Sequence, residues 1–425
     1  MRNRLWTTIV GAVAAIAIGA TCTSAAFPAF AAQGIAGTLT DTGTQSSSSV
    51  KTNGQPDSTD QGDSSIADDS TVSGPNVDSQ SDVGSESTVP KAEAEGQDSC
   101  DNVLTWQTLD GCVSDSTSRT VTIAQTIKVP DDATATIAKS VSITLTAKPG
   151  VDPALTTSQN NGDAIFNVAS GALLTIGKDV NDANFSYKNG KRFLVYLQNG
   201  GNLTVNNGTF SGIDTTGSTD HDMGTLAYSA GGTVTINGGK FANNKAVEGG
   251  VAYNKSGSIT VNDGIFSGNS AVNGGVLFQT TEDEKRASLS INGGEFSNNK
   301  SKDAGNNGGG GVLFQMRGTT SITGGSFTGN MQTYSAACTN DNPSACRHMR
   351  SGGGAIHTEA GSLTIAGNVK FSGNHSKAYG WGDGGGAIYA QGTLWIRNDA
   401  WGNRPSFDGN WSGIYDTQYI GKDKD

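Results

Sequence analysis

Short triplets, apolar, polar, apolar in five of seven copies, recur through the C-terminal half of the chain: Leu203-Thr-Val205, Val234-Thr-Ile236, Ile259-Thr-Val261, Leu289-Ser-Ile291 and Leu363-Thr-Ile365, with the variants Thr320-Ser-Ile322 and Leu394-Trp-Ile396. Alternation of this kind predicts β-strands with one buried face. Each triplet leads into a corner: Phe241-Ala-Asn-Asn244, Phe266-Ser-Gly-Asn269, Phe296-Ser-Asn-Asn299, Phe327-Thr-Gly-Asn330, Phe371-Ser-Gly-Asn374 and Phe407-Asp-Gly-Asn410. The first copy, Phe210-Ser-Gly-Ile213, lacks the Asn. Self-similarity at this period predicts a solenoid. The Phe positions lie 31, 25, 30, 31, 44 and 36 residues apart. That is too long for a hexapeptide β-helix, and the chain lacks the amphipathic helix that ankyrin or leucine-rich repeats need. Three short strands per coil remain, stacked about 4.8 Å apart into parallel sheets around a narrow core. The corner Asn then has a structural role. Its amide can satisfy backbone in the turn and bond its stacked copies.

From Ile259 onward each triplet is preceded by a second apolar strand opening on a glycine pair, as in Gly274-Gly-Val-Leu277, Gly310-Gly-Val-Leu313, Gly353-Gly-Ala-Ile356 and Gly385-Gly-Ala-Ile388. The pairing of these segments with Phe-x-x-Asn, over roughly 200–413, resembles the repeats of the chlamydial polymorphic outer-membrane proteins and related bacterial surface proteins. The resemblance implies a right-handed parallel β-helix on a surface protein that mediates adhesion. Those relatives end in a membrane β-barrel. Here no run of amphipathic strands follows the repeats, so the resemblance bears on the fold more than on the export route.

Upstream, Arg2 and Arg4, the apolar run Leu5 to Ala20 and the small residues of Ala29-Phe30-Ala31 read as a secretory signal over 1–31. No other segment has the length to cross a bilayer as a helix. Residues 33–97 contain no Phe, Trp or Tyr and carry eleven acids against Lys51 and Lys91. Such a stretch cannot bury enough surface to fold, so 32–98 is expected to be a disordered, self-repelling linker. Residues 99–199 then supply a cap, enclosed by Cys100 and Cys112, and about three irregular coils, and 200–413 the regular repeats. The organisation expected is all-β, with roughly ten coils and a tail over 414–425. Trp411, Ile414, Tyr415 and Tyr419 either fold over the last coil, or the chain is part of a longer, anchored protein.

In an exported chain the four remaining cysteines favour two local disulfides, Cys100 with Cys112 and Cys338 with Cys346. Neither pair has the spacing of a zinc site. Four histidines, His221, His348, His357 and His375, are scattered over the coils, and no metal or other cofactor is expected. The chain is acidic, with a formal net charge of −11, and has no basic stripe, which argues against nucleic acid.

Two features point toward recognition. Tyr228, Tyr253, Phe278, Phe314, His357 and Tyr389 hold the same place in six successive coils. Facing outward they would suit sugar rings, whereas facing inward they would be a core stack. Both neighbouring columns are apolar, so alternation leaves the question open, with buried stacking favoured. Extra residues also collect between corner and glycine pair, at 214–223, 300–308, 331–351 and 375–384, while 245–248 and 270–273 take a short route. One corner of a solenoid stacks along one edge. The three consecutive excursions are therefore expected to form one wall bearing Tyr334, Arg347, His348, Arg350, Tyr379 and Trp381 beside the Cys338 to Cys346 loop. Aromatic and Arg side chains on loops are what binding surfaces use.

The expected function is therefore a secreted, cell-surface binding or adhesion protein whose partner is a glycan or a host or bacterial surface. Polysaccharide lyases and glycoside hydrolases also use this fold, and a purely structural spacer is a third reading. Hydrolysis by acid and base needs two carboxylates about 5 to 9.5 Å apart. Glu359 and Asp383 are the nearest candidates and have no matching acid in the adjoining coils.

Overall fold

In the computed structural model, residues 97–161, 163–217, 223–281, 287–303, 309–334, 352–377, 384–412 and 421–422 are described. The triplets form ten strands of one parallel sheet, from Arg119–Ile123 to Thr393–Arg397. Three of these strands precede residue 200. The Phe corners give a second sheet of ten strands, Ile127–Lys128 to Ser406–Asp408. The strands after the glycine pairs give a third of nine, Ala135–Ile137 to Ile388–Ala390. The chain visits the sheets in turn, and every strand pairs with its equivalent one coil away. That is a parallel β-helix.

Register follows the sequence repeat residue for residue. Leu203 lies beside Val234, and Val205 beside Ile236, as Ile259 and Val261 continue the two columns. Both columns point into the core and are buried from Leu203 and Val205 through Leu363 and Ile365. The residues between them face outward and are hydroxyls in nine successive strands: Thr120, Thr144, Thr175, Thr204, Thr235, Thr260, Ser290, Ser321 and Thr364. β-Branched and small polar residues suit such a half-exposed pleat. Thr320 stands in an inward column and stays buried because its hydroxyl donates to Gln315 Oε1 at 2.5 Å.

The corner residues explain why the coils stack in register. Phe210, Phe241, Phe266, Phe296, Phe327 and Phe371 are buried in one column, with ring centroids 4.7 to 5.0 Å apart. Beside them runs a ladder of buried amides. Asn269 Nδ2 donates to Phe241 O at 2.9 Å and to Asn299 Oδ1 at 3.0 Å, and its backbone N–H donates to the same Oδ1. Asn299, Asn330 and Asn374 repeat the pattern as far as Asn410. The amide bonds the Phe carbonyl of the preceding coil rather than its own turn. Where Asn is missing, the Ile213 N–H still donates to Asn244 Oδ1.

The glycine pairs have a steric cause. Gly249 has φ +64° and Gly310 φ +70°, and a Cβ there would collide with the carbonyl oxygens of Ala252 and Leu313. Only glycine lets the chain turn this tightly onto the third sheet.

Two elements are absent from the sequence expectation of three strands per coil. Ser270–Ala271, Lys300–Asp303, Met331–Tyr334, His375–Ser376 and Trp411–Ser412 pair in parallel as a fourth sheet after the Asn corner, and Gly421–Lys422 joins its end antiparallel. At the other end an α-helix, Trp106–Ser114, lies over the first coil. Thr105 caps it, and Leu109, Cys112 and Val113 are buried beneath. Cys100 and Cys112 are disulfide-bonded, with Cα atoms 5.7 Å apart. The strap before the helix also closes the first sheet: Thr122 N–H donates to Cys100 O, and Val103 N–H to Thr122 O.

The first coils are held by Arg192, which is fully buried. All five guanidinium donors are used, on the carbonyls of Pro130, Asp131, Asp163 and Ala164 and on Thr134 Oγ1, at 2.8 to 3.2 Å. A buried charge is tolerable when each donor is satisfied in this way.

Candidate binding surfaces

The edge expected to carry recognition is built on the fourth sheet. Lys300, Met331, His375 and Trp411 are direct neighbours across it, as are Ser301, Gln332, Ser376 and Ser412. The strands that lead into 304–308, 335–351 and 378–383 therefore stand side by side. Tyr334 ends one of them, its backbone opposite Asp303. Arg347, His348, Arg350, Tyr379 and Trp381 lie outside the described residues, as do Cys338, Cys346, His221 and Asp383. His375 is half-buried, and its ring stacks on Trp411 at 4.7 Å and 1°. Burial lowers its pKa below the usual value, helped by the charges of Lys377 and Lys300, so the neutral ring is favoured.

The aromatic column takes neither of the two arrangements set out from sequence. In the third sheet Ala227, Ala252, Leu277, Leu313 and Ile356 face the core. Tyr228, Tyr253, Phe278 and Phe314 face the other way, yet are buried in a second apolar cluster with Phe193 and Ala164. Their rings are 4.9 to 5.3 Å apart. His357 continues the column as an edge contact to Phe314 at 4.9 Å, and Tyr389 follows at 5.1 Å. Buried stacking is thus present, but on the outer face of the sheet.

This column borders a cavity of about 310 Å³ lined by Glu248, Tyr253, Lys255, Phe278, Thr280, Thr281 and Met316. Burial pushes the Glu248 carboxyl up, against a lowering hydrogen bond from Asn273. Sequence reasoning missed Glu248 because its register mates are Met223 and Asn273, so no repeated acid marks the position.

A second concavity of about 410 Å³ lies at the turns between the first and second sheets, where Asn206, Asn237, Lys240, Asp263 and Ile265 contribute. Here an outer amide ladder runs from coil to coil: Asn237 donates to Asn206, Asn262 to Asn237 and Asn292 to Asn262, at 2.7 to 2.9 Å. Its signal was in the sequence, as Asn after the triplets ending at Val205, Ile236, Val261 and Ile291.

For chemistry, Glu359 follows the strand Ile356–Thr358 and its N–H donates to Gln315 O. Among the described residues no group of three His, Cys, Asp or Glu could hold a metal ion.

Residues 368–391, which include the corner Phe371 to Asn374 and the pair Gly385-Gly386, match the Chlamydia polymorphic membrane protein repeat. Comparisons with curated proteins and with solved structures found no match. Repeat and fold together define a parallel β-helix repeat protein resembling the polymorphic membrane proteins.

Proposed function

We propose that this chain is a secreted, surface-associated binding protein that presents one edge of a β-helix to a glycan or to a host or bacterial surface. The observation that carries the reading is the fourth sheet, because its paired strands set the starts of three long excursions side by side on a rigid support. Binding residues are disproportionately found on connections held by such a scaffold. The likeness of 368–391 to a repeat of membrane proteins supports the surface location, as does the apolar leader at 1–31. Tyr334, Arg347, His348, Arg350, Tyr379 and Trp381 are the residues assigned to contact.

A glycan array and a cell-binding assay with the purified chain test this. Trp381→Ala, and separately deletion of 333–349, should weaken binding while the circular dichroism spectrum is kept, since aromatic anchors serve binding more than stability. Two variants that bind like the parent would refute the wall. Shortening of a polysaccharide in solution would replace binding by catalysis, with Glu359 and Asp383 the first carboxylates to substitute.

A further inference from the structure

The concavity between the first and second sheets runs along the solenoid axis over three tight turns in successive coils, at 206–208, 237–239 and 262–264. Val180 and Ile265 are its aliphatic lining, 56% and 45% exposed. In the two outer turns a side chain closes on the backbone. Asn207 Oδ1 accepts the Gly208 N–H, and Asp263 Oδ1 the Gly264 N–H, both at 2.8 Å. In the middle turn Gly238 stands at that position, and the N–H groups of Gly238 and Gly239 have no acceptor among the described residues. A Cβ at 238 would lie 2.7 Å from Asn206 O, so glycine keeps the trough open. Asn237 adds a third donor. One of its two side-chain hydrogens goes to Asn206 Oδ1, and the other has no acceptor among the described residues.

Charge and period narrow what fits. Lys240 and Asp263 are the one cation and the one anion in the lining, so the trough favours neither sign of ligand. Backbone and amide donors beside exposed aliphatic groups suit a neutral sugar, which carries hydroxyls around a ring with C–H faces. The turns recur at the coil rise of about 4.8 Å. Each sugar of an extended β-1,4-linked chain advances by nearly that step, so one contact repeats from turn to turn. An extended peptide presents the side chains of one face about 6.8 Å apart and falls out of step. At the turns it also finds no strand edge to pair with.

We propose that this trough is an oligosaccharide subsite, holding a neutral β-1,4-linked chain along the solenoid axis with one sugar at each of the three turns. It lies on a different corner from the excursions of the fourth sheet, and does not rest on their role.

Calorimetry on the purified full chain, with cello- and chito-oligosaccharides of two, three and six sugars as probes, tests this. In at least one series the trisaccharide should bind more tightly than the disaccharide, and the hexasaccharide no more tightly than the trisaccharide. Trigalacturonate, an acidic probe, should bind no better. Ile265→Trp fills the trough from an exposed position and should abolish the heat of binding, and Ile265→Ser should weaken binding about tenfold. Lys370→Ala, in the same column three coils on, should change nothing. All three variants should keep the parent circular dichroism spectrum, and the amide signals of Gly238 and Gly239 should shift on titration. No binding by either neutral series, tighter binding of trigalacturonate, or a titration that neither Ile265 variant alters would overturn the subsite. If binding survived both Ile265 variants but was lost in Trp381→Ala, the sugar would sit on the wall, and the function proposed above would stand while the subsite fell.

Discussion

Replacing Asn299 by alanine removes four hydrogen bonds from a place that water does not reach. Its Nδ2 donates to Phe266 O at 2.9 Å and to Asn330 Oδ1 at 3.0 Å, and its Oδ1 accepts from the backbone and side-chain nitrogens of Asn269. Alanine leaves two buried N–H donors of Asn269 without acceptors, and each orphan costs about 1 to 3 kcal/mol. Asn299→Ala should therefore destabilise the chain by roughly 2 to 6 kcal/mol. Asn299→Asp is the sharper probe. A carboxylate would face Phe266 O and Asn330 Oδ1, two acceptors, inside a site with no exposure. At neutral pH it should cost more than alanine, because the charge is buried and both donated bonds become repulsions. Its folded pKa is raised above the unfolded value of about 3.9. The relative stability of the Asp variant is therefore greatest below that value and falls as pH rises through the folded one. Urea unfolding followed by circular dichroism, referred to the parent at each pH, measures this, and hydrogen exchange at Asn269 reads the local joint. A loss below about 1 kcal/mol for alanine, or an Asp variant that tracks the Ala variant at acid and neutral pH alike, would refute the account of the ladder.

The Phe296 ring lies between Phe266 and Phe327 at 4.7 and 4.8 Å, so Phe296→Ala should cost about 3 to 5 kcal/mol in the same titration. Burial raises the Glu248 carboxyl, so its contribution is favourable at acid pH and lost as pH rises through that raised value. Glu248→Gln should flatten this trend and raise the melting temperature at neutral pH, and superimposable melting profiles from parent and variant would count against it. Reducing Cys100–Cys112, a loop of separation 12, should remove about 3 kcal/mol from the first coils. Their amides should then exchange faster while those near Phe327 do not.

Sequence made the repeat legible because one physical demand recurs at one spacing. Each coil must turn a sharp corner out of reach of water, and Asn244, Asn269 and Asn299 answer that demand alike. The fourth sheet carried no such signal. Its strands read Ser-Ala, Lys-Ser-Lys-Asp, Met-Gln-Thr-Tyr and His-Ser, and are held by stacking on their neighbours rather than by any shared apolar pattern. Period-2 alternation names a buried face only when the other face is polar, and Leu277 beside Phe278 offers no such contrast. The helix at Trp106–Ser114 rests on three buried residues, Leu109, Cys112 and Val113, a span too short for periodicity to separate from a strand-like cap. Glu248 owes its environment to what neighbouring coils place around it, and no single coil records that.

Since the Asn corner, the Phe stack and both amide ladders join each coil only to its immediate neighbours, always at the same repeat positions, the coils are interchangeable parts. Excising 266–295 would bring Ile265 onto Phe296 and set Asn299 above Asn244, where Asn269 stood, with donor meeting acceptor as before. Stability in such an array is close to a sum over neighbours, so the number of coils is a length that recombination can change in whole steps. Out-of-step insertions, by contrast, would break every column at once and are confined to the edges where the columns do not run.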